Sequence, residues 1–122
     1  MKLPKGFIKL KIGGENWIVD PSGMRWEENP INNMNHEDAL SYAKSTKTQI
    51  PSKYDFHRLL GYFNSDKEFF SVFKKWKNKA IWSSSVVPGY SYDAYYFSGR
   101  SGNFYYGYRN VYYYLVVRCA GR

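Results

Sequence analysis

Residues 103–119, NFYYGYRNVYYYLVVRC, place six tyrosines within ten positions near the C-terminus. Aromatic and β-branched residues dominate this stretch and the segments before it, a composition typical of strands. Gly, Ser and Pro separate the segments, as they do in turns. We therefore predict short strands in the last third of the chain, at AIWSSS (80–85), DAYYFSG (93–99), GNFYYGYR (102–109) and YLVVRC (114–119).

The middle of the chain has helical periodicity instead. Asn35 or Asn33 can cap a first helix, and Ser-x-x-Asp/Glu capping boxes at 52–55 and 65–68 begin a second and a third. Apolar side chains recur at intervals of three and four residues within the segments. The predicted helices lie in MNHEDALSYAKST (34–46), QIPSKYDFHRLLGYF (49–63) and NSDKEFFSVFKKWKNK (64–79).

The N-terminal segment predicts a hairpin followed by a loop. Apolar residues nearly alternate with lysines in GFIKLKIGGENWIVD (6–20), and Gly13-Gly14 supplies the turn. Turn residues dominate PSGMRWEENPINN (21–33), which is predicted as a loop. Two or three helices between strands at both ends indicate an α+β fold, with antiparallel strands from the two termini pairing. The 122 residues fit one domain, residues 1–122.

The composition excludes several classes of protein. No apolar run approaches the roughly eighteen residues of a membrane helix, so we expect no membrane insertion. The N-terminus has lysines but lacks the apolar stretch of a signal peptide. The sequence does not indicate a cellular compartment. The single cysteine, Cys119, excludes disulfides and paired-cysteine zinc sites, and its valine neighbours predict a buried, unreactive thiol.

No group of residues indicates catalysis, a cofactor or a bound metal. His36 and His57 are the only histidines, and both lie in predicted helices without a nearby nucleophile. Asp55 is predicted as a helix cap, and no paired carboxylates or phosphate-binding loop stand out. We therefore expect a protein that is not an enzyme, with structural or surface histidines.

The net charge of +8 raises the alternative of a basic, single-stranded nucleic-acid-binding protein. Residues 44–79 carry a net charge of +6, whereas residues 83–122 carry only +3. The lysines lie on predicted helices and the tyrosines on predicted strands, so the two are not interleaved as a nucleic-acid surface would have them. Nucleic acid is thus the less favoured partner. A fixed interaction domain is a further alternative.

Three stretches in order carry a resemblance to a known fold. Residues 34–60 are similar to the motif W-x-E-A-x-x-Y-C-x-x…L-P-T-x-x-E-x-x-x-L, and IWSSS (81–85) to a strand with the motif YWSS. Residues 93–121 are similar to an ending of the form AWYVxFxxGxVxxxxKxxxxxVRCV. Together they resemble the C-type-lectin fold, in the branch of formylglycine-generating-enzyme-like and DUF1566-like modules.

The two familiar activities of that fold lack their residues here. Formylglycine-generating enzymes use two reactive cysteines, and this chain has one. Calcium-dependent lectins carry EPN or QPD and a later WND, whereas this chain has ENP at 28–30 and no WND. One resemblance remains, to the variable proteins of diversity-generating retroelements. They resemble this chain in size, in the WSSS…RC ending and in a C-terminus rich in Tyr, Asn, Ser and Gly.

That resemblance implies a test within the sequence. In such systems a reverse transcriptase replaces adenines, mostly in AAC or AAT codons, which can then never encode Lys, Glu, Gln, Met or Trp. These five types make up 25 of residues 1–82 and none of residues 83–122, where about twelve are expected at the earlier rate. The boundary divides the domain into a scaffold, residues 1–82, and a tyrosine-rich variable region, residues 83–122.

The arrangement of the tyrosines predicts which side chains face outward. Because a strand sends alternate side chains to opposite faces, adjacent tyrosines cannot all enter the core. Spacing against the family pattern gives as variable, ligand-binding residues Tyr90, Ser91, Tyr92, Asp93, Tyr105, Tyr106, Gly107, Tyr108, Asn110, Tyr112 and Tyr113. The predicted scaffold residues around them are Trp82, Ala94, Phe104, Val111, Leu115, Val117 and Arg118.

The resemblance implies a hypervariable binding module. Its expected role is viral receptor binding, through a protein or glycan ligand on a host surface. A carrier protein, such as one on the virion surface, would hold the domain for display. Clustered exposed tyrosines suit protein–protein interaction because the ring offers large contact area with few torsions to fix.

Overall fold

The structure of the protein is a computed structural model that describes residues 3–121. It confirms the α+β prediction, because the helices lie between strands contributed by both ends of the chain. In chain order the elements are β1 (Ile8–Ile12), β2 (Glu15–Val19), β3 (Arg25–Glu27), β4 (Ile31–Met34), α1 (His36–Ser45), α2 (Lys53–Leu60), α3 (Asp66–Val72), a 3₁₀ helix (Lys74–Trp76), β5 (Ala80–Val87), β6 (Tyr90–Ser98), β7 (Phe104–Tyr108), β8 (Tyr114–Val116) and β9 (Cys119–Ala120).

The N-terminal hairpin forms as predicted. β1 and β2 pair antiparallel with Leu10 opposite Trp17. Gly13 and Gly14 adopt φ values of 59° and 84°, the left-handed conformations that a tight hairpin turn requires. β1 lies at the edge of its sheet, so all five of its side chains are exposed.

The predicted loop at 21–33 is wrong, since β3 and β4 lie within it. Both strands are too short to show alternation, and their partners, β9 and β8, come from the other end of the chain. The buried Asp20 carboxylate organises the turn before β3. It accepts hydrogen bonds from Ser22 N at 2.8 Å, Met24 N at 3.1 Å and Trp26 Nε1 at 2.9 Å.

Local capping fixes where the helices begin. Asn35 caps α1, and Ser52 and Asp55 form the predicted reciprocal capping box at α2. Ser65 caps α3 by accepting a hydrogen bond from Glu68 N at 3.1 Å. These bonds satisfy backbone donors that the first helical turn leaves without partners.

Two sheets hold the strands from both ends of the chain. The first has the order β1-β2-β3-β9, and the second has the order β4-β8-β5-β6-β7. β3 pairs with β9 and β4 with β8, both antiparallel, which confirms the predicted pairing of terminal strands. β8 also runs parallel to β5, so it joins the N-terminal β4 to the rest of the second sheet.

Two hydrophobic clusters occupy opposite faces of the second sheet. Ile81 and Phe97 pack with aromatic residues of α2, α3 and the 3₁₀ helix, and the Phe97 and Phe56 rings stack at 5.5 Å. Trp82 and Ala94 face the other way and pack with α1 and β8. Ile81, Trp82, Ala94 and Phe97 are fully buried, so the sheet is packed on both faces at these positions and supports the hairpin there.

Gly99 fixes one end of the β6–β7 hairpin. A Cβ at this position would lie 1.9 Å from the Trp76 carbonyl oxygen, so only glycine fits. Its N–H donates to Lys79 O at 2.6 Å, and its carbonyl accepts from Asn78 N at 2.9 Å. The hairpin is thus anchored against the 3₁₀ helix at this end, and Tyr90, Tyr92 and Tyr108 lie at the other.

A buried ion pair joins the two ends of the chain. Arg118 Nε and Nη2 donate to the two carboxylate oxygens of Glu27, each at 2.9 Å, and Arg118 N donates to Glu27 Oε1 at 2.6 Å. Glu15 also accepts from Arg118, and the Trp17 and Tyr42 rings lie 5.5 and 5.1 Å from the guanidinium. The hydrogen bonds to Glu27 raise the pKa of Arg118.

Replacing Glu27 by Gln should destabilise the fold by about 3–5 kcal/mol, because it removes the buried, bidentate partner of the guanidinium and leaves only the half-exposed carboxylate of Glu15. Urea unfolding, followed by tryptophan fluorescence, measures this loss. The matched control is Lys9→Gln, which breaks the exposed Lys9–Glu28 pair and should change the free energy of unfolding by less than about 1 kcal/mol. Equal, small losses in both variants would contradict the central role of the Glu27–Arg118 pair.

Candidate ligand-binding site

Most tyrosines of the protein lie on the β6–β7 hairpin and in the segment that follows it. Ten of the 13 tyrosines lie in residues 90–114. Seven of the ten expose between 47% and 80% of their surface: Tyr90, Tyr92, Tyr105, Tyr106, Tyr108, Tyr112 and Tyr113. At least half of the set therefore faces outward, as the adjacent pairs predicted.

The register of β6 and β7 assigns side chains to the two sheet faces. Tyr95 lies opposite Tyr106, on the same face as Phe97 and its partner Phe104. That face packs against α2, whose Lys53 ammonium lies 4.1 Å from the Tyr95 ring centroid. Tyr96 and Tyr105 form a cross-strand pair on the opposite face.

Three tyrosines of the region belong to the scaffold. The Tyr114 ring packs on Trp82 at 4.4 Å and on Tyr96 at 4.3 Å, and both Tyr95 and Tyr96 are half-buried. Burial, followed by the neighbouring Tyr96 hydroxyl, raises the pKa of Tyr114 to about 12. This aromatic stack closes the second hydrophobic cluster beneath the exposed tyrosines.

A cleft opens where β6 begins and β7 ends. Its volume is about 300 Å³, and we call it the Arg109 cleft. The loop after β7, the start of β6 and the first turn of α1 meet there. The residues that line it with Arg109 are Asn35, Glu37, Ser91, Tyr92, Tyr108 and Asn110.

Arg109 is held in the cleft by a buried histidine. Its Nε donates to His36 Nδ1 at 2.9 Å, so His36 Nε2 carries the ring proton and donates to Ser83 O at 2.8 Å. His36 N also donates to Arg109 O at 2.8 Å. The neutral imidazole therefore connects α1, β5 and the loop after β7, three elements that surround the candidate site.

The structure brings together four of the predicted ligand-binding residues in the Arg109 cleft, namely Ser91, Tyr92, Tyr108 and Asn110. Tyr112 lies at its edge, where its hydroxyl accepts from Asn35 Nδ2 at 3.1 Å. The half-buried Asp93 lies opposite Tyr108 in the strand register. The exposed residues that lie outside the cleft lining are Tyr90, Tyr105, Tyr106 and Tyr113.

Gly107 is the predicted site residue that the fold turns inward. It pairs with the buried Ala94, and a Cβ at this position would lie 2.6 Å from the Tyr114 hydroxyl oxygen. The position therefore offers no side chain to a ligand. Its glycine lets β7 approach the Tyr96–Tyr114 stack.

The predicted scaffold residues line the two clusters. Trp82, Ala94, Val117 and Arg118 are buried. Phe104, Val111 and Leu115 are partly buried and pack against the clusters. Buried and exposed positions thus interleave along residues 83–122.

Sequence reasoning missed the residues contributed by the first helix. The sequence places Asn35 and His36 at the start of α1, and it does not single out Arg109. His36 and Arg109 are 73 positions apart, so no local pattern connects them. The one available signal was the proximity of α1 to the last strands that the resemblance implied.

A second, wider cleft of about 450 Å³ lies beside the α2 face of the hairpin. Lys53, Tyr54, His57, Ser85, Val86, Pro88 and Tyr95 line it. Only Tyr95 among these lies in the tyrosine-rich strands β6 and β7. The exposed Tyr54 and His57 of α2 share this cleft with Tyr95 of β6, so α2 lies next to the hairpin that carries the exposed tyrosines.

The single cysteine lies in the interior of the protein. Cys119 is buried, and burial raises the pKa of its thiol to about 12, which keeps it protonated. Among residues 3–121, no three His, Cys, Asp or Glu side chains form a group that could hold a metal ion. No helix in that range is long and apolar enough to cross a membrane.

Comparison with known proteins adds no functional assignment. No protein-family model matches the chain, and a search of curated proteins finds no match. Inference about function therefore rests on the geometry and chemistry of the tyrosine-rich surface.

Gly107→Ala should destabilise the protein by about 1–3 kcal/mol, because its methyl group would crowd the Tyr114 hydroxyl. Tyr114→Phe removes that hydroxyl. In the Tyr114→Phe background the loss caused by Gly107→Ala should be smaller, because the nearest remaining ring atom lies 3.4 Å away. A double-mutant cycle of urea unfolding measures the difference. Additive losses would mean that the two positions do not interact.

Acidification below about pH 7 should destabilise the fold through His36. Burial lowers the pKa of His36 below 6.5, the Ser83 hydrogen bond opposes this, and Arg109 adds to the lowering. The unfolded chain therefore binds a proton at His36 more readily than the folded chain. The free energy of unfolding consequently decreases as the pH is lowered. Urea unfolding at several pH values measures the slope, which is at most about 1.4 kcal/mol per pH unit for one group.

The two histidines of the chain provide the control for this pH dependence. His36→Gln should flatten the slope, whereas His57→Gln, at an exposed position, should retain it. An unchanged slope in His36→Gln would rule out His36 as its source.

Proposed function

We propose that the protein is a non-catalytic binding module that displays a diversified, tyrosine-rich site on a C-type-lectin-like scaffold. The observation that carries the proposal is the exposure of seven tyrosines on the β6–β7 hairpin and in the loop that follows it, beside a sheet that packs against a hydrophobic cluster on each face. A soluble surface rarely exposes so many large rings together without a partner to cover them.

The chemistry of this surface suits recognition of a macromolecule. Tyrosine provides a large, rigid ring and a hydroxyl with only two torsions to immobilise, and Ser, Gly and Asn add adaptable hydrogen bonds. Here these residues extend from strands that the two clusters hold in place. Because the scaffold is ordered before binding, less conformational entropy is lost when a ligand is bound.

The composition of residues 83–122 supports diversification of the site. Every exposed tyrosine of the surface lies in the part of the chain that lacks Lys, Glu, Gln, Met and Trp. Tyr, Ser, Asp and Asn are all reachable from adenine replacement in AAC or AAT codons. Buried residues interleave with the exposed ones, so a varied surface and a constant interior can share one segment.

The proposed ligand is a protein or glycan on a host surface, and the proposed role of binding is attachment of a virus to that surface. Because the domain is small, a carrier protein would present it on the particle. The charge distribution argues against nucleic acid as the ligand. The helical segment 44–79 has a net charge of +6, and the tyrosine-rich segment 83–122 has +3.

Surface display of a variant library tests the proposal. The library varies the outward positions Tyr90, Ser91, Tyr92, Asp93, Tyr105, Tyr106, Tyr108, Asn110, Tyr112 and Tyr113 among the residues encoded by adenine replacement. We expect most variants to fold, since these side chains contribute little to the clusters, and we expect selection on unrelated target proteins to yield specific binders. A matched library at Tyr95, Tyr96, Phe104, Val111 and Tyr114 should mostly lose folded display.

Two results would contradict the proposal. Equal loss of folding in both libraries would mean that the exposed residues are structural. Binding of the parent protein to random single-stranded oligonucleotides, with an affinity that falls steeply with salt, would favour the nucleic-acid alternative. The gene offers an independent check, because a near-copy of its 3′ end, differing only at adenines, should lie beside a reverse-transcriptase gene.

A further inference from the structure

Arg109 is fixed in position before any ligand binds. Its Nε donates to His36 Nδ1 at 2.9 Å, and its Nη1 donates to Ser91 O at 3.3 Å. Its backbone N–H donates to Tyr92 O at 2.8 Å, and its carbonyl accepts from His36 N at 2.8 Å. Contacts on both the backbone and the side chain therefore orient the guanidinium, so binding would immobilise few additional torsions.

The guanidinium retains donors for a ligand. A guanidinium has five N–H donors, and Arg109 directs one to His36 and one to Ser91. Across residues 3–121 its Nη2 has no protein acceptor, and no carboxylate lies within 4 Å of its nitrogens. By contrast, the fork of Arg118 is already occupied by Glu27. Arg109 thus presents an uncompensated, half-buried positive charge to the cleft.

Aromatic rings border this charge. Tyr92 and Tyr108, which are 80% and 65% exposed, line the cleft with Arg109. Tyr and Arg are among the residues most enriched at the energetically dominant centres of protein interfaces, where surrounding contacts exclude water. Exclusion of water strengthens a hydrogen bond between a guanidinium and an acceptor of opposite charge.

From this arrangement we propose that the Arg109 cleft receives the side-chain carboxylate of an Asp or Glu residue on a protein ligand. The inference rests on the proposed function and names the chemistry of its anchor point. A carboxylate matches the planar fork of the remaining Nη donors. The breadth of the exposed surface favours a protein over a single sugar, because tyrosines extend beyond the cleft to Tyr90, Tyr105, Tyr106 and Tyr113.

The cleft also contains a determinant against clustered acids. Glu37, exposed in the first turn of α1, lines the cleft together with Arg109. With Arg109 and Glu37 the cleft lining carries one charge of each sign. The cleft therefore has no net positive charge that would attract a run of acidic residues or a polyanion, and an acidic side chain gains only from direct contact with Arg109.

NMR titration of the ¹⁵N-labelled protein tests this assignment. The probes are N-acetyl-L-glutamate N-methylamide, which has one carboxylate, and N-acetyl-L-glutamine N-methylamide, its neutral counterpart. We expect the acidic probe to bind with a Kd of the order of millimolar, a value typical of a single small contact. It should shift the Arg109 Nε–H resonance and the Tyr92 and Asn110 amide resonances, and the neutral probe should not.

Charge variants separate a specific contact from general attraction. Arg109→Gln should weaken binding of the acidic probe at least tenfold, and Arg109→Lys should weaken it less, because it keeps the charge but loses the fork. Arg100→Gln makes the same charge change in the exposed turn between β6 and β7, and should leave the Kd within twofold. The amide spectrum of each variant reports whether the fold is retained; if Arg109→Gln unfolds, the Arg109→Lys result decides.

Three outcomes would overturn the inference. Equal shifts with both probes would mean that no carboxylate is recognised. Equal weakening by Arg100→Gln would mean that only net charge attracts the probe. Binding of the methyl glycoside of N-acetylneuraminic acid, without binding of the glutamate probe, would assign the cleft to an acidic glycan. If the display library still yields binders in any of these cases, the proposed function stands and only the anchor is wrong.

Discussion

The bidentate ion pair between Glu27 and Arg118 holds the two ends of the chain together. Glu27 ends β3 and Arg118 precedes β9, so the pair lies beside the short ladder that joins the first sheet to the C-terminus. A two-residue strand offers few hydrogen bonds, and a buried guanidinium with two matched oxygens adds directional contacts that a slipped register could not satisfy. The pair therefore fixes both ends of the segment between Glu27 and Arg118, which contains the helices and the second sheet.

The second sheet supports the β6–β7 hairpin, which carries most of the exposed tyrosines. Gly99 anchors the turn of the β6–β7 hairpin on the 3₁₀ helix, and the Tyr96–Tyr114 stack supports it farther along. Beyond the stack, few side chains of the hairpin contribute to either hydrophobic cluster. The outward positions are thus relieved of a structural role, which is the physical condition under which their chemistry can change without loss of the fold.

Local chemistry determined how much of the structure the sequence predicted. The Asn35 and Ser52 caps and the Gly13-Gly14 turn depend on neighbouring residues and were found at the expected places. The single strand predicted at 114–119 was wrong, because this segment divides into β8 and β9, which pair with partners in different sheets. β3 and β4 were missed because short strands are specified by distant partners. Outward-facing tyrosines followed from strand alternation, but the His36–Arg109 contact and the inward position of Gly107 depend on tertiary packing that no local pattern encodes.

The inward position of Gly107 limits how many surfaces the segment can produce. A repertoire counted from codons treats each varied position as an independent choice. The backbone of β7 makes position 107 and the ring at position 114 share one volume, so some encoded combinations correspond to no folded surface. If the segment is diversified as proposed, the number of folded binding surfaces is therefore smaller than the number of encoded sequences.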